Sequence, residues 1–193
     1  MYEFIRGRIS GLNPASVVID ARDIGFFVNI SLNTYSKLNG QEQARLLIHQ
    51  IVREDAHLLY GFAEKEERDL FRHLISVNGV GAGTAIMMLS SLTPDEVTGA
   101  IAAGNIDLLK AVKGIGVKTA QRIVIELKDK LGKIAENNQF LISSDNTLQN
   151  EALSALVMLG FAKKDAEKVV AQIIRDNPDA TVERVIKTAL KRL

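Results

Sequence analysis

Val77-Asn78-Gly79-Val80-Gly81 and Val112-Lys113-Gly114-Ile115-Gly116 are two copies of one pattern, 35 residues apart, each lying between helix-like apolar runs. A helix, a tight turn of glycine, apolar residue and glycine, and a second helix make a helix-hairpin-helix element. The glycines let the backbone approach a ligand closely, and the second helix begins facing that ligand. Unpaired amide N–H groups and the positive end of the helix dipole converge there, so the natural ligand is a phosphate, held without a dedicated side chain. Such contacts carry no base information, and the expected mode is nucleic-acid binding by backbone and shape.

Glycines before a helix also serve ordinary turns, and it is the duplication that favours phosphate. Two other glycine-rich motifs fail on detail. A dinucleotide fingerprint that uses Gly79 and Gly81 needs a third glycine where Thr84 stands, and a strand upstream where the sequence reads as helix. The second copy imitates a P-loop, but Val117 rather than glycine precedes Lys118-Thr119, and no glycine stands five residues before that slot.

At 193 residues and 47% apolar content the chain can hold one to three small domains with real cores. It has no cysteine, so neither a disulfide framework nor a thiolate metal site is expected, which suits a reducing cytoplasm. No run approaches membrane-spanning length, and Met1 leads into strand-like sequence rather than a signal peptide, so the expected protein is soluble and cytoplasmic, with no membrane partner. The net charge of +1 places any basic surface in local asymmetry: residues 1–64 carry 6 basic and 7 acidic groups, 65–133 carry 10 and 8, and 134–193 carry 8 of each.

The first 63 residues read as β. Phe4 to Ile9, Ser16 to Ile19, Phe26 to Ile30, Ala44 to Val52 and Ala56 to Tyr60 are short apolar runs separated by turn signals such as Asn13-Pro14 and Asn39-Gly40. Five such strands suit a closed barrel of the OB type, with a plain structural or oligomerising barrel as the alternative. Aromatics that could stack on single-stranded bases are few, namely Phe26, Phe27 and Phe62.

From Glu64 to Gly132 the period turns helical, giving an all-α domain in which the two hairpins share one core. Thr93-Pro94-Asp95-Glu96 reads as a capping box with proline at the first helical position, and Gly104 as the end of that helix. A long helix carrying Ala120, Ile123, Val124, Leu127 and Leu131 is expected to stop near Gly132. Residues 133–147 read as a flexible linker in which Phe140-Leu141-Ile142 could dock, and 148–193 as a small three-helix domain over Leu148 to Leu159, Lys163 to Arg175 and Val182 to Leu193. The fold class is therefore multidomain α+β. A small bundle tethered in this way usually exists to hold a partner.

Between the fourth and fifth strands, Arg53-Glu54-Asp55-Ala56 puts two carboxylates at a hairpin tip. An acidic turn is ordinarily just solvated, but in a DNA binder it either holds metal or repels phosphate. No further Asp, Glu or His clusters with these two in the sequence, so a two-metal site is poorly supported and no metal or cofactor is expected. His49, His57 and His73 are scattered, read as structural, and no catalytic residue emerges.

With Val52-Arg53-Glu54-Asp55-Ala56, Leu59-Tyr60-Gly61-Phe62, the two hairpins, Gly114-Ile115-Gly116-Val117-Lys118-Thr119-Ala120 and Leu159-Gly160-Phe161 in view, the chain resembles over its whole length the RuvA family, the Holliday-junction-binding subunits of the bacterial branch-migration machine. The segment 52–81 is the specific part, since hairpins alone also occur in ligases, polymerases and nucleases. The resemblance implies a homotetramer of barrels, with one tetramer or two per junction left open. It implies hairpins gripping four duplex arms and a central acidic pin. It also implies a UBA-like tail domain that recruits the hexameric AAA+ motor RuvB, with the junction resolvase RuvC as a further partner, in recombination, repair and the SOS response.

By position, Glu54 and Asp55 match the pin; Gly79, Gly81, Gly114 and Gly116 match the phosphate-binding turns; Lys118 matches a basic residue at the second helix start, and Arg122 stands one turn later. Asn78, Gly83, Thr84, Lys113 and Thr119 complete the expected DNA-contacting set, and Leu159 and Phe161 are candidates for the partner surface of the tail. Ala82-Gly83-Thr84 departs from the family pattern, which often has a basic side chain there, so the first hairpin should grip more weakly through amides and the Thr84 hydroxyl. Two readings compete with non-catalytic junction binding: a metal-dependent, structure-specific nuclease using Glu54 and Asp55, and an RNA-binding OB module.

Overall fold

The computed structural model describes residues 1–140, 147–177 and 180–193, with side chains described outside 129 and 131–147. Five strands, β1 (Phe4–Asn13), β2 (Ser16–Asp20), β3 (Gly25–Asn29), β4 (Gln43–Val52) and β5 (His57–Phe62), close into a barrel in the order β1-β2-β3-β5-β4. All pairs are antiparallel except β3 with β5, which meet in parallel at Asn29 and Tyr60. One strand, β1, serves two neighbours: its first half pairs with β4 and its second half with β2, with a register shift between Ile9 and Gly11 that bends it. Gly7 sits at the crossing, where a Cβ would lie 2.1 Å from the Asp20 carbonyl oxygen. Ile5, Val17, Ile19, Val28, Ile30, Leu46 and Ile48 alternate inward and fill the barrel.

The strand runs read from the sequence hold to within a few residues, but a helix went unread. Residues Leu32–Leu38 form α1 between β3 and β4, capped by the Ser31 hydroxyl accepting from the Thr34 amide, and Leu38 joins the barrel core. Of the expected stacking aromatics, Phe62 is fully buried and cannot serve, whereas Phe27 is 60% exposed.

The helical domain follows as α2 (Lys65–Ile75), α3 (Ala82–Ser91), α4 (Pro94–Ala103), α5 (Ile106–Lys110) and α6 (Val117–Phe140). Its core draws Leu70, Phe71, Met88, Leu89, Ile101, Leu109, Ile123 and Leu127 together with Tyr60 and Phe62 of β5, so barrel and hairpins belong to one compact unit, residues 1–132. The capping box at Thr93 and Glu96 is present, and Gly104 ends α4 in the left-handed conformation at φ +67°.

The stop expected near Gly132 is a correction, because α6 runs on to Phe140. One glycine inside a helix costs only about 1 kcal/mol relative to alanine, and helix formers such as Lys133, Ala135 and Glu136 flank it. The remainder of the expected linker, 141–146, lies outside the described residues, as do the side chains of Leu131 and of the Phe140-Leu141-Ile142 run. In the second compact unit, 133–193, helices α7 (Thr147–Met158), α8 (Lys163–Asp176) and α9 (Val182–Ala189) pack around Ala152, Leu156, Val170, Ile173 and Val185. The expected last helix ends near Ala189 rather than Leu193.

Candidate nucleic-acid interface

The two glycine patterns fold into matching turns. After α2, the Val80 amide donates to the Val77 carbonyl at 3.0 Å; after α5, the Ile115 amide donates to the Val112 carbonyl at 3.1 Å. Val77, Val80, Val112 and Ile115 are all buried and plug their turns into the shared core. Gly79 and Gly114 both take φ +91°, a left-handed conformation that disfavours any side chain. Gly81 and Gly116 do not, and a Cβ at either would meet nothing within 4 Å. The first glycine of each pair is needed for the turn itself. The second keeps an open surface open.

The helices that follow, α3 and α6, start without acidic residues in their first turns. α3 begins at Gly81 with no side-chain cap. Among the described residues, the amides of Gly79, Gly81, Gly114 and Gly116 find no intramolecular acceptor. α4 and α5 differ: Thr93 and Asn105 occupy their starts as caps, and acidic residues stand in the first turn. Uncapped amides plus the helix dipole attract an anion by roughly 0.3–1 kcal/mol from the dipole alone, before any hydrogen bond is counted.

Asn78, Gly79, Gly81 and Gly83 are exposed on the first hairpin, with Thr84 half-buried, and Lys113, Gly114, Gly116 and Lys118 are exposed on the second, with Thr119 half-buried. Exposed Arg122 projects from α6 toward the other hairpin, and its Nη1 stands 3.5 Å from the Asn78 carbonyl oxygen, at the outer limit of a hydrogen bond. The first turn and α3 carry no basic residue of their own, and a cation from the second hairpin stands beside that turn. Spacing along one helix could place Arg122 near its own hairpin but could not reveal this crossing.

The acidic turn lies at the β4–β5 end of the same unit. The Arg53 amide donates to the Ala56 carbonyl at 2.8 Å, leaving Glu54 and Asp55 as the two exposed tip residues. No group of three or more His, Asp or Glu side chains able to hold a metal occurs among the described residues. His49 and His73 are half-buried, and burial is the main cause that lowers both imidazole pKa values; Arg72 and Arg68 act in the same direction on His49. Both therefore read as packing residues, with the His49 ring edge-on to Phe71 at 5.4 Å.

In the tail, Leu159 is exposed, and Met158, which no pattern in the sequence singles out, is 86% exposed beside it. Phe161 instead packs against the three-helix core.

A closed five-stranded barrel fused through a common core to a tandem helix-hairpin-helix unit, with a separate three-helix module, defines a class of phosphate-backbone-binding proteins. Family models agree along the chain: residues 1–61 match the RuvA N-terminal domain, 71–129 the SAM-like helix-hairpin-helix tandem and 147–193 the RuvA C-terminal domain. Relatives from Bacteroides thetaiotaomicron and Christiangramia forsetii, each 49% identical, and from Flavobacterium psychrophilum, 50% identical, align over 100% of both chains. Each bears the name Holliday junction branch migration complex subunit RuvA. The chain belongs to the RuvA family.

Proposed function

We propose that this protein binds four-way DNA junctions without sequence preference, holds them open and square, and presents them to an ATP-driven motor. The observation that carries the reading is the pairing of two uncapped glycine turns with one exposed acidic hairpin in a single compact unit. In this reading the amides of Gly79, Gly81, Gly114 and Gly116 hold backbone phosphates. Asn78, Gly83, Thr84, Lys113 and Thr119 border them, and Lys118 and Arg122 add charge. Because the contacts ignore bases, the junction can slide while held.

Glu54 and Asp55 act by repulsion. In a homotetramer four copies of the tip would meet where phosphates of four strands crowd together. Two like charges about 4 Å apart repel by about 1 kcal/mol in water and about 4 kcal/mol at a protein-surface dielectric, before salt screening. Attraction at the rim and repulsion at the centre keep the crossover unstacked, so strands can be drawn through and re-paired. The chain performs no chemistry in this scheme; the hexameric motor RuvB hydrolyses ATP and docks on the tail domain around Leu159, with RuvC as a further partner on the junction. Residues between α6 and α7 act as the tether, and the cytoplasm is the place of action.

A gel shift at fixed salt comparing a synthetic four-way junction with linear duplex of the same sequence tests the reading. Tighter junction binding without cleavage is expected. Equal affinity for both, or metal-dependent cutting of the junction, contradicts it.

A further inference from the structure

Helix α1 touches both helices of the first hairpin, and does so at the end remote from the phosphate-binding turn. At its start, both Nδ2 hydrogens of Asn33 are spent at the C-terminal end of α3, one on the Leu89 carbonyl in its last turn and one on the carbonyl of its cap residue Leu92, the latter at 3.0 Å. The Leu32 amide donates to the Ser90 hydroxyl oxygen at 3.1 Å, and that hydroxyl donates to the Ile86 carbonyl at 2.7 Å. On the other side, the hydroxyls of Ser31 and Thr34 donate to the two carboxylate oxygens of Glu67 on α2, the second at 2.7 Å, and the Thr34 oxygen accepts from the Ala63 amide at 3.1 Å. Ser31, Thr34 and Glu67 are all buried.

These bonds differ in what they can control. α2 is tied to the barrel several times over, by the chain itself at residues 62–65, by Arg68 with Glu3, by Arg72 donating to the Ile48 carbonyl, and by Phe71 against Tyr60 and Phe62. α3 packs on α2 and α4 within its own domain and, on the barrel side, against α1, while Met88 and Leu89 reach the core shared with Tyr60 and Phe62. A helix C-terminus leaves its last carbonyls without partners, and here the Asn33 side-chain amide takes one of them, that of Leu89, together with the carbonyl of the extended cap residue Leu92. α3 is ten residues long, about 15 Å, with Gly79 and Gly81 at its far end. A tilt of α3 by roughly 10° at the Asn33 joint therefore shifts its N-terminal end, where Gly81 stands, by about 2.6 Å relative to α2 and to the barrel that carries Glu54 and Asp55.

We infer that Asn33 is a positioning residue that sets the separation between the acidic hairpin and the first phosphate-binding turn, and thereby the preference for a junction over a duplex. The inference rests on the proposed junction-binding function. A duplex engages the hairpins alone and tolerates a displaced turn, whereas a junction must fit the hairpins and the acidic tip together.

The test uses full-length protein and two variants, Asn33→Ala and Asn33→Asp. Aspartate keeps the shape, removes both donors, and sits favourably in the first turn of α1, so α1 itself is supported while its bond to α3 is lost. Affinities for a synthetic four-way junction and for linear duplex are measured at two salt concentrations, with thermal unfolding alongside. In both variants junction affinity should fall about tenfold, the equivalent of one hydrogen bond to a charged group, while duplex affinity stays within about twofold. A purely structural Asn33 would lower both affinities together and leave their ratio at the wild-type value, which overturns the inference. A wild-type protein with no junction preference overturns the function reading instead, and is recognised before any variant is compared.

Discussion

The two glycines of each hairpin should fail for different reasons when a methyl group is added. Gly114 sits at φ +91°, so Gly114→Ala forces a side chain into the left-handed region at about 1–2 kcal/mol. For a chain of this size that corresponds to a Tm lower by roughly 2–8 °C. Gly116 has neither a left-handed φ nor any atom within 4 Å of an added Cβ, so Gly116→Ala should fold with Tm within about 2 °C of wild type. Its cost falls on binding. The methyl stands in the open space over the second turn and holds a phosphate away from the amides, sacrificing a charge-assisted hydrogen bond of about 1.5–3 kcal/mol, or at least about tenfold in affinity. Thermal unfolding followed by fluorescence-anisotropy titration of a labelled junction separates the two effects. A folded Gly116→Ala protein that binds with wild-type affinity would refute the phosphate cradle.

Lys118→Ala should weaken junction binding and reduce the slope of log affinity against log salt by about 0.9 for each phosphate that the lysine neutralises; an unchanged slope removes Lys118 from the interface. Stability should fall as pH drops from 7 toward 5.5, because the unfolded chain takes up protons near pH 6.5 while burial keeps His49 and His73 neutral to lower pH in the folded state. His49→Leu should shrink that dependence in thermal melts and also remove the unpartnered buried Nδ1. Protein ending at residue 142 should still bind junctions yet fail to stimulate RuvB-driven branch migration; stimulation that survives would move the motor site out of the tail.

The sequence made plain those features whose signal is local and periodic. Alternation marked the strands, and duplication marked the hairpins, because a turn that must reach φ +91° twice has to write glycine twice. The Thr93 box and Gly104 were legible for the same reason, since caps act on their immediate neighbours. α1 was missed although Ser31 caps it and Leu32, Tyr35 and Leu38 recur along it; seven residues are too few to outweigh the turn signal of Asn39-Gly40. Arg122 beside Asn78 and Asn33 on the end of α3 could not be read at all, because each joins residues more than 40 positions apart through tertiary packing. Gly132 misled because glycine ends helices only where the following sequence cannot continue them, and Lys133 to Glu136 can.

Replacing Glu54 and Asp55 together by Asn deletes two charges from an exposed tip whose backbone bond, Arg53 to Ala56, uses neither side chain, so folding and assembly should persist. The most direct measurement is then the ratio of four-way-junction to linear-duplex affinity, in wild type and in the Glu54→Asn, Asp55→Asn protein, at two salt concentrations and in chelator. Electrostatic exclusion predicts that duplex binds the variant more tightly, that the ratio shrinks toward one, and that the difference between the proteins narrows at high salt. A ratio unaltered by loss of both charges would contradict repulsion by the pin as the source of junction selectivity.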